Sequence, residues 1–212
     1  MSSRSEPEAM SPRPKGYDRD AAVAAARELF WERGYEATSI ADLEQHLGLS
    51  RSSIYHEFGS KHGLFEAALD CYADRVIAGL FAGVRDEGAG LDAIISLFTR
   101  LSELFRRETA ASARGCMTVN TTAELAARDE RVRLTAARYR DRLRADFAAA
   151  LTTAAHEGKV DPVTVEARSQ LLAATLMGVW LTVRIDPADA STLCKTIASE
   201  VASWAIRTPR AP

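Results

Sequence analysis

Apolar residues recur at spacings of three and four along most of the chain, and no stretch alternates convincingly enough for a strand. From Asp18, the positions Val23, Ala26, Leu29 and Phe30 mark a first helix that Gly34 stops. Thr38 or Ser39 offers an N-cap for a second, barely two turns long, with Ile40, Leu43 and Leu47 on one face and Gly48 at its end. Ser50 opens a third, also short, with Ile54 and Phe58 four apart before Gly59. Ser60 caps a much longer one, KHGLFEAALDCYADRVIAGLF, in which Leu64, Phe65, Ala68, Leu69, Tyr72, Val76 and Leu80 keep the period. After the turn RDEGAG the pattern predicts a helix over 91–107, a polar break (ETAASARG), a helix beginning near 116–120 and a long one over 129–156. Asp161-Pro162 and Asp186-Pro187 each pair an N-cap with a proline in the first turn, opening helices to about Arg184 and Arg207. The fold class is all-α, with about nine helices.

Composition narrows the function classes. The 212 residues carry 27 Lys+Arg against 29 Asp+Glu, are 47% hydrophobic and only 7% aromatic, enough for one large or two modest helical domains. The longest apolar run, Leu171 to Leu181 with one Thr, falls well short of the ~20 residues that cross a bilayer. Residues 1–16 are rich in Ser, Pro and charge, so a flexible tail is expected there, mildly basic through Arg4, Arg13 and Lys15. They show no apolar signal stretch, which makes the cytoplasm the expected compartment. Cys71, Cys116 and Cys194 suit neither a disulfide framework nor a zinc site, and neither metal nor cofactor is expected. A net charge of −2 argues against non-specific coating of nucleic acid, which needs many cations on phosphates. Between Arg13 and Lys61 there are seven basic and eight acidic residues, so any DNA reading must rest on placement.

Placement is what the N-terminal pattern offers. Three short helices, the second and third joined by a tight turn at Gly48, form a helix-turn-helix pattern. The third begins Ser50-Arg51-Ser52-Ser53, small and polar, as entry into a major groove requires. The stretch GYEATSIADLEQHLGLSRSSIYHEFGSKHGLFEAAL resembles the N-terminal domain of TetR/AcrR-family transcriptional regulators, with similarity from about Asp18 to Leu69. The resemblance implies a helix-turn-helix domain over 17–62 and an effector-binding and dimerisation domain over 63–210. It implies that Thr38 and Ser39 donate to a phosphate at the second helix's N-terminus, and that Arg51, Ser52 and Ser53, after Ser50, face base edges. Arg51 is then the guanine-reading candidate. Tyr55 is then the backbone-contacting tyrosine, His56 follows it on the exposed face and Lys61 takes a phosphate. Two positions depart from the pattern: Ser52 stands where Gly is common, and Glu57 where His or Tyr is common. Glu57 is expected to turn away or pair with a nearby cation.

A module that reads a pseudo-palindromic double-stranded operator needs two copies at a fixed separation, so a homodimer is implied. The last two helices are the expected dimer face: Ala173, Ala174 and Gly178 allow close approach, and Leu193, Ile197, Val201 and Trp204 supply area. A small-molecule effector pocket is expected from Phe98, Leu101, Phe105, Cys116, Met117, Asn120, Thr121, Met177 and Trp180. Cys116, after Arg114-Gly115 at a helix start, is also a candidate for a thiol-reactive signal, because both features favour thiolate. The expected function is that of a dimeric repressor released by an effector. Two alternatives are a hydrolase with Cys116 as nucleophile and His156 as base, and a helical adaptor without DNA binding.

Overall fold

The computed structural model describes residues 17–107 and 109–206. The expected basic tail over 1–16 and the residues after 206 lie outside these. Every regular element among the described residues is helical: α1 Arg19–Arg33, α2 Ile40–Leu47, α3 Arg51–Phe58, α4 Lys61–Tyr72, α5 Ala78–Arg85, α6 Leu91–Arg106, α7 Ala110–Ala113, α8 Met117–Leu125, α9 Glu130–His156, α10 Val165–Ile185 and α11 Pro187–Ser203. A π-helical turn, Ala73–Ile77, joins α4 to α5, and a 3₁₀ turn, Pro162–Thr164, leads into α10.

Local chemistry accounts for most boundaries. Asp18, Ser50, Ser60, Asp129 and Asp186 each accept a backbone N–H in the first turn that follows. Ser39 and Asp42 form a reciprocal capping box on α2. Gly48 ends α2 at φ 64°, a left-handed turn that swings the chain into α3.

Four predicted boundaries need correction. The long fourth helix is one rod over 61–85 with an extra residue wound into its middle, which periodicity cannot register. The polar break contains α7, a single turn capped by Thr109. Asp161 opens the 3₁₀ turn, and α10 proper starts only at Val165. The last helix stops at Ser203, short of 207.

The core is continuous from the N-terminal helices to α11. At the N-terminal end Phe30, Leu43, Ile54, Leu64 and Phe65 close a small head in which α4 packs on α1, with the Phe30 and Phe65 rings 5.0 Å apart. In the body, Phe81, Phe98 and Phe147 stack between α5, α6 and α9, and Ser102 and Ser191 pair inside the core at 3.0 Å between α6 and α11. The rod over 61–85 runs from head to body, so the expected boundary at 62/63 falls inside a continuous helical path.

Polar clamps fasten the head to the body. The Glu124 carboxylate on α8 accepts the Tyr35 and Glu36 N–H groups at 3.1 and 2.8 Å. Arg128 reaches Glu36 at 2.8 Å and Arg131 reaches Glu66 at 2.9 Å. Closer to the body's centre, Arg114 pairs with Glu28 of α1 at 2.8 Å, and the Trp31 indole N–H of α1 donates to the Gly115 carbonyl at 3.1 Å.

Candidate functional site

One face of the head is built by α2 and α3. The Ser50 hydroxyl caps α3 by accepting the Ser53 N–H at 3.2 Å and sits 2.9 Å from the Ser52 and Ser53 hydroxyls. Ser50, Arg51, Ser52, Tyr55 and His56 are exposed and Ser53 is half-buried, so the first turn of α3 presents small hydroxyls and one guanidinium to solvent. The Arg51 guanidinium lies 5.5 Å over the Tyr55 ring, which limits the rotamers it samples. Glu44 accepts the Arg51 backbone N–H and fixes the angle between α2 and α3. Glu57 pairs with Arg19 at 3.1 Å, its carboxylate largely covered, as expected of the position that departs from the family pattern.

Two phosphate contacts expected at α2 are corrected. Thr38 is wholly buried, and its hydroxyl donates to the Gly34 carbonyl at 2.7 Å. Its side chain holds the loop between α1 and α2 from within. Ser39 is exposed, but its hydroxyl hydrogen goes to Asp42, whose carboxylate also takes the Ser39 N–H and pairs with Arg33 at 3.0 Å. Those hydrogen bonds with Ser39, and then Arg33, hold the Asp42 carboxyl below its ordinary range. The N-terminus of α2 therefore already carries an anion of its own. Lys61 begins α4 with its ammonium 4.2 Å over the Tyr35 ring. Tyr17, a position that no motif or spacing singles out, shares a surface hollow with Ser52, Ser53, His56 and Glu57.

A second site lies where head meets body. A cavity of about 380 Å³ is walled by Trp31 of α1, Tyr72 of α4, Val76 and Ile77 of the π turn, Leu104 and Phe105 of α6, and Trp180 of α10, with Arg114 and Gly115 closing one side. Of the expected pocket residues it gathers only Phe105 and Trp180. Phe98 and Leu101 are fully buried packing, because their stripe on α6 faces the body's core. Met117, Asn120 and Thr121 line a different hollow beside Gly34 and Arg184, and Met177 is half-buried against the core. The walls that periodicity missed come from α1, α4, the π turn and α6, and no spacing along the chain brings them together.

Cys116 lies fully buried next to this cavity, and its thiol donates to the Tyr139 hydroxyl at 3.6 Å. Burial, together with the neighbouring Cys116, holds both the Tyr72 and Tyr139 hydroxyls well above the usual range. The neighbour of the thiol is thus a neutral phenol, a poor base. His156, the base the hydrolase alternative needs, is 17 residues further along α9 than Tyr139, about 25 Å of helix.

The outer face of α10 and α11 is a third surface. Ala173, Ile197 and Val201 are buried within the chain, so their expected place at a dimer face is corrected, whereas Leu193 and Trp204 are partly buried against the core. Ala174 and Gly178 are exposed, and they fall in a row with Ala167, Leu171, Leu181 and Ile185. The row's spacing of four and three is that of a helix–helix seam. Leu171, Leu181 and Ile185 are 57%, 45% and 85% exposed, so α10 has an apolar face outward as well as inward. Ala188, Thr192, Ser199 and Ala202 are exposed small residues on α11, in a row that also carries the exposed Lys195.

Comparison with known proteins agrees with this layout. Residues 22–68 match the model of bacterial regulatory proteins of the tetR family, and residues 90–196 match a tetracyclin repressor-like C-terminal domain. The HTH-type transcriptional repressor ComR of Escherichia coli (strain K12) is 40% identical over 114 residues, 53% of each chain. BdcR, another HTH-type transcriptional repressor of that strain, is 29% identical over 105 residues, 50% of this chain and 52% of its own. The chain spans about half the length of the curated relatives it matches. Among solved structures, a TetR transcriptional regulator from Chloroflexus aurantiacus J-10-FL superposes with TM-score 0.68 and 27% identity over 88% of this chain and 95% of its own. A cysteine mutant of the TetR family transcriptional regulator CifR, complexed with 26-base-pair double-strand operator DNA, shares the fold at TM-score 0.74 and 24% identity, over 91% of this chain and 99% of that one.

Proposed function

Because the chain belongs to the TetR family of bacterial regulatory proteins, we propose that it is a sequence-specific, dimeric DNA-binding repressor that releases its operator when a small molecule fills the cavity between head and body. The observation that carries this reading is the start of α3: exposed Ser50, Arg51 and Ser52, with Arg51 steadied over Tyr55 and nothing apolar to block a groove. Arg51, with Ser52 and Ser53 beside it, faces base edges, most simply guanine O6 and N7 for Arg51, while Tyr55, His56 and Lys61 supply contacts to the flanking backbone. Repression is favoured over activation because ComR and BdcR are repressors. The chain acts on DNA in the cytoplasm and is not an enzyme; the buried, phenol-bonded thiol of Cys116 supports a packing role over a nucleophilic one.

The dimer forms through the outward row on α10, with α11 beside it, against the same surface of a second copy. A self-complementary seam of small and aliphatic residues suits a two-fold interface, and two heads fixed by one rigid bundle can span two half-sites. Release follows from position: α1, the first helix of the reading head, is itself a wall of the cavity through Trp31. An occupant that displaces Trp31 or Arg114 tilts α1, and the tilt changes the separation of two α3 helices. By linkage, operator DNA lowers effector affinity by the same factor as effector lowers operator affinity.

The test is operator binding by fluorescence anisotropy, using a site selected from fragmented genomic DNA. Arg51→Ala should cost about 1–3 kcal/mol and relax preference at one base position in each half-site. A variant with unchanged affinity and unchanged preference would remove Arg51 from the interface.

A further inference from the structure

The cavity's lining defines the chemistry of its occupant, an inference that rests on the effector reading above. Four aromatic side chains, Trp31, Tyr72, Phe105 and Trp180, and four aliphatic ones, Val76, Ile77, Leu80 and Leu104, supply most of the wall. Its volume of about 380 Å³ lies at the lower end of the ~300–1,000 Å³ usual for small-molecule sites. Flat aromatic walls favour a flat aromatic body, through offset and edge-on ring contacts.

The polar part of the lining is selective. Thr109 and Ser112 satisfy one another: Thr109 donates to the Ser112 hydroxyl at 3.1 Å, and Ser112 donates to the Thr109 carbonyl at 2.9 Å. Arg114 is the one charged residue among the described lining side chains. Its guanidinium lies 4.3 Å over the Trp31 ring, and its Nη1 donates to Glu28 at 2.8 Å. The Arg114 Nε is buried with no hydrogen-bond partner, an uncompensated donor on a charged group. Glu28 does not neutralise this corner, because Arg27 takes its other oxygen at 2.7 Å and leaves two guanidinium groups on one carboxylate. Among the described residues, two guanidinium groups therefore share this one carboxylate.

We propose that the cavity takes a compact planar aromatic monoanion, its ring against the aromatic wall and its anionic oxygen on the Arg114 guanidinium. An aromatic carboxylate or an acidic phenolate fits; a cation does not, and a neutral compound of equal shape lacks the charge-assisted bond. Binding adds an acceptor where Arg114 has none and competes with Glu28 for the guanidinium. The occupant therefore loosens the same ion pair that ties α1 to the body.

Three probes of one shape separate the possibilities: 2-naphthoate, 2-naphthalenemethanol and 2-naphthylmethylammonium, titrated by calorimetry into the full-length protein without DNA. The expected order is naphthoate at least tenfold tighter than the alcohol, with the ammonium weakest. Arg114→Lys retains a cation near Glu28 but lacks the Nε–H, and should lose most of the naphthoate advantage while the alcohol binds as before. If all three bind equally, the anion preference is overturned and the effector cavity stands. If none binds at millimolar concentration, the cavity reading itself is overturned.

Discussion

At Gly115 the backbone adopts φ 69°, and a Cβ there would stand 2.7 Å from the Trp180 carbonyl oxygen. Only glycine lets the chain pass α10 this closely while its carbonyl receives the Trp31 indole. Gly115→Ala should therefore destabilise the fold by at least ~2 kcal/mol, seen as a lower denaturant midpoint at unchanged slope. An unchanged midpoint would mean that α10 yields there at no cost. Glu28 adds a pH signature. Burial pushes its carboxyl up, but hydrogen bonds and charge from Arg114 and Arg27 outweigh that and hold it below 4.5. A depressed carboxylate stabilises above its unfolded pKa and loses that contribution as the pH falls through the folded value. The stability gap between the native chain and Glu28→Gln should be present at pH 7 and close as acid takes the solution below 4.5; a gap that widens in acid contradicts the pairing. Cys194, whose thiol burial alone pushes up to about 12, should resist aromatic disulfide reagents until the protein unfolds.

At the scale of elements, sequence and structure part company for identifiable reasons. The caps Ser39, Ser50, Ser60 and Asp186 and the stops Gly34, Gly48 and Gly59 were legible because capping is local chemistry. The π turn over Ala73–Ile77 was not, since one extra residue in a helix leaves its neighbours' spacing almost helical. Deleting Ala73 should let 61–85 run as an unbroken α-helix, turning Val76 and Ile77 relative to α4. Helix content by circular dichroism should hold while 2-naphthoate affinity drops at least tenfold; unchanged affinity would show that the π turn does not shape the cavity. On α10 and α11 the expected residues divide by side: Ala174 and Gly178 are exposed, whereas Ala173, Ile197 and Val201 face inward. The row Ala167, Leu171, Ala174, Gly178, Leu181 and Ile185 carries the sequence signal that marks the outer face. Leu181→Asp with Ile185→Asp should yield a folded monomer by sedimentation, with operator affinity much reduced. A stable dimer of that variant would move the interface elsewhere.

For the whole molecule, the near balance of 27 basic and 29 acidic residues is the governing constraint. Many of the cations are engaged internally: Arg19, Arg33, Arg114, Arg128 and Arg131 all pair with carboxylates in or against the head. Little charge remains to hold random DNA, so affinity must come from two correctly spaced copies of α3. The expectation of a specific, dimeric reader was legible from composition and the helix-turn-helix pattern together. The cavity was not, because its walls converge only once α1, the 61–85 rod, α6 and α10 have packed. The most direct test is to select genomic fragments with the purified protein and footprint the bound site. The account predicts a pseudo-palindrome whose half-sites are contacted on one face of the duplex, with protection lost in the Leu181→Asp, Ile185→Asp variant. Recovery of no preferred sequence, or of a single half-site protected equally well by the monomeric variant, would contradict it.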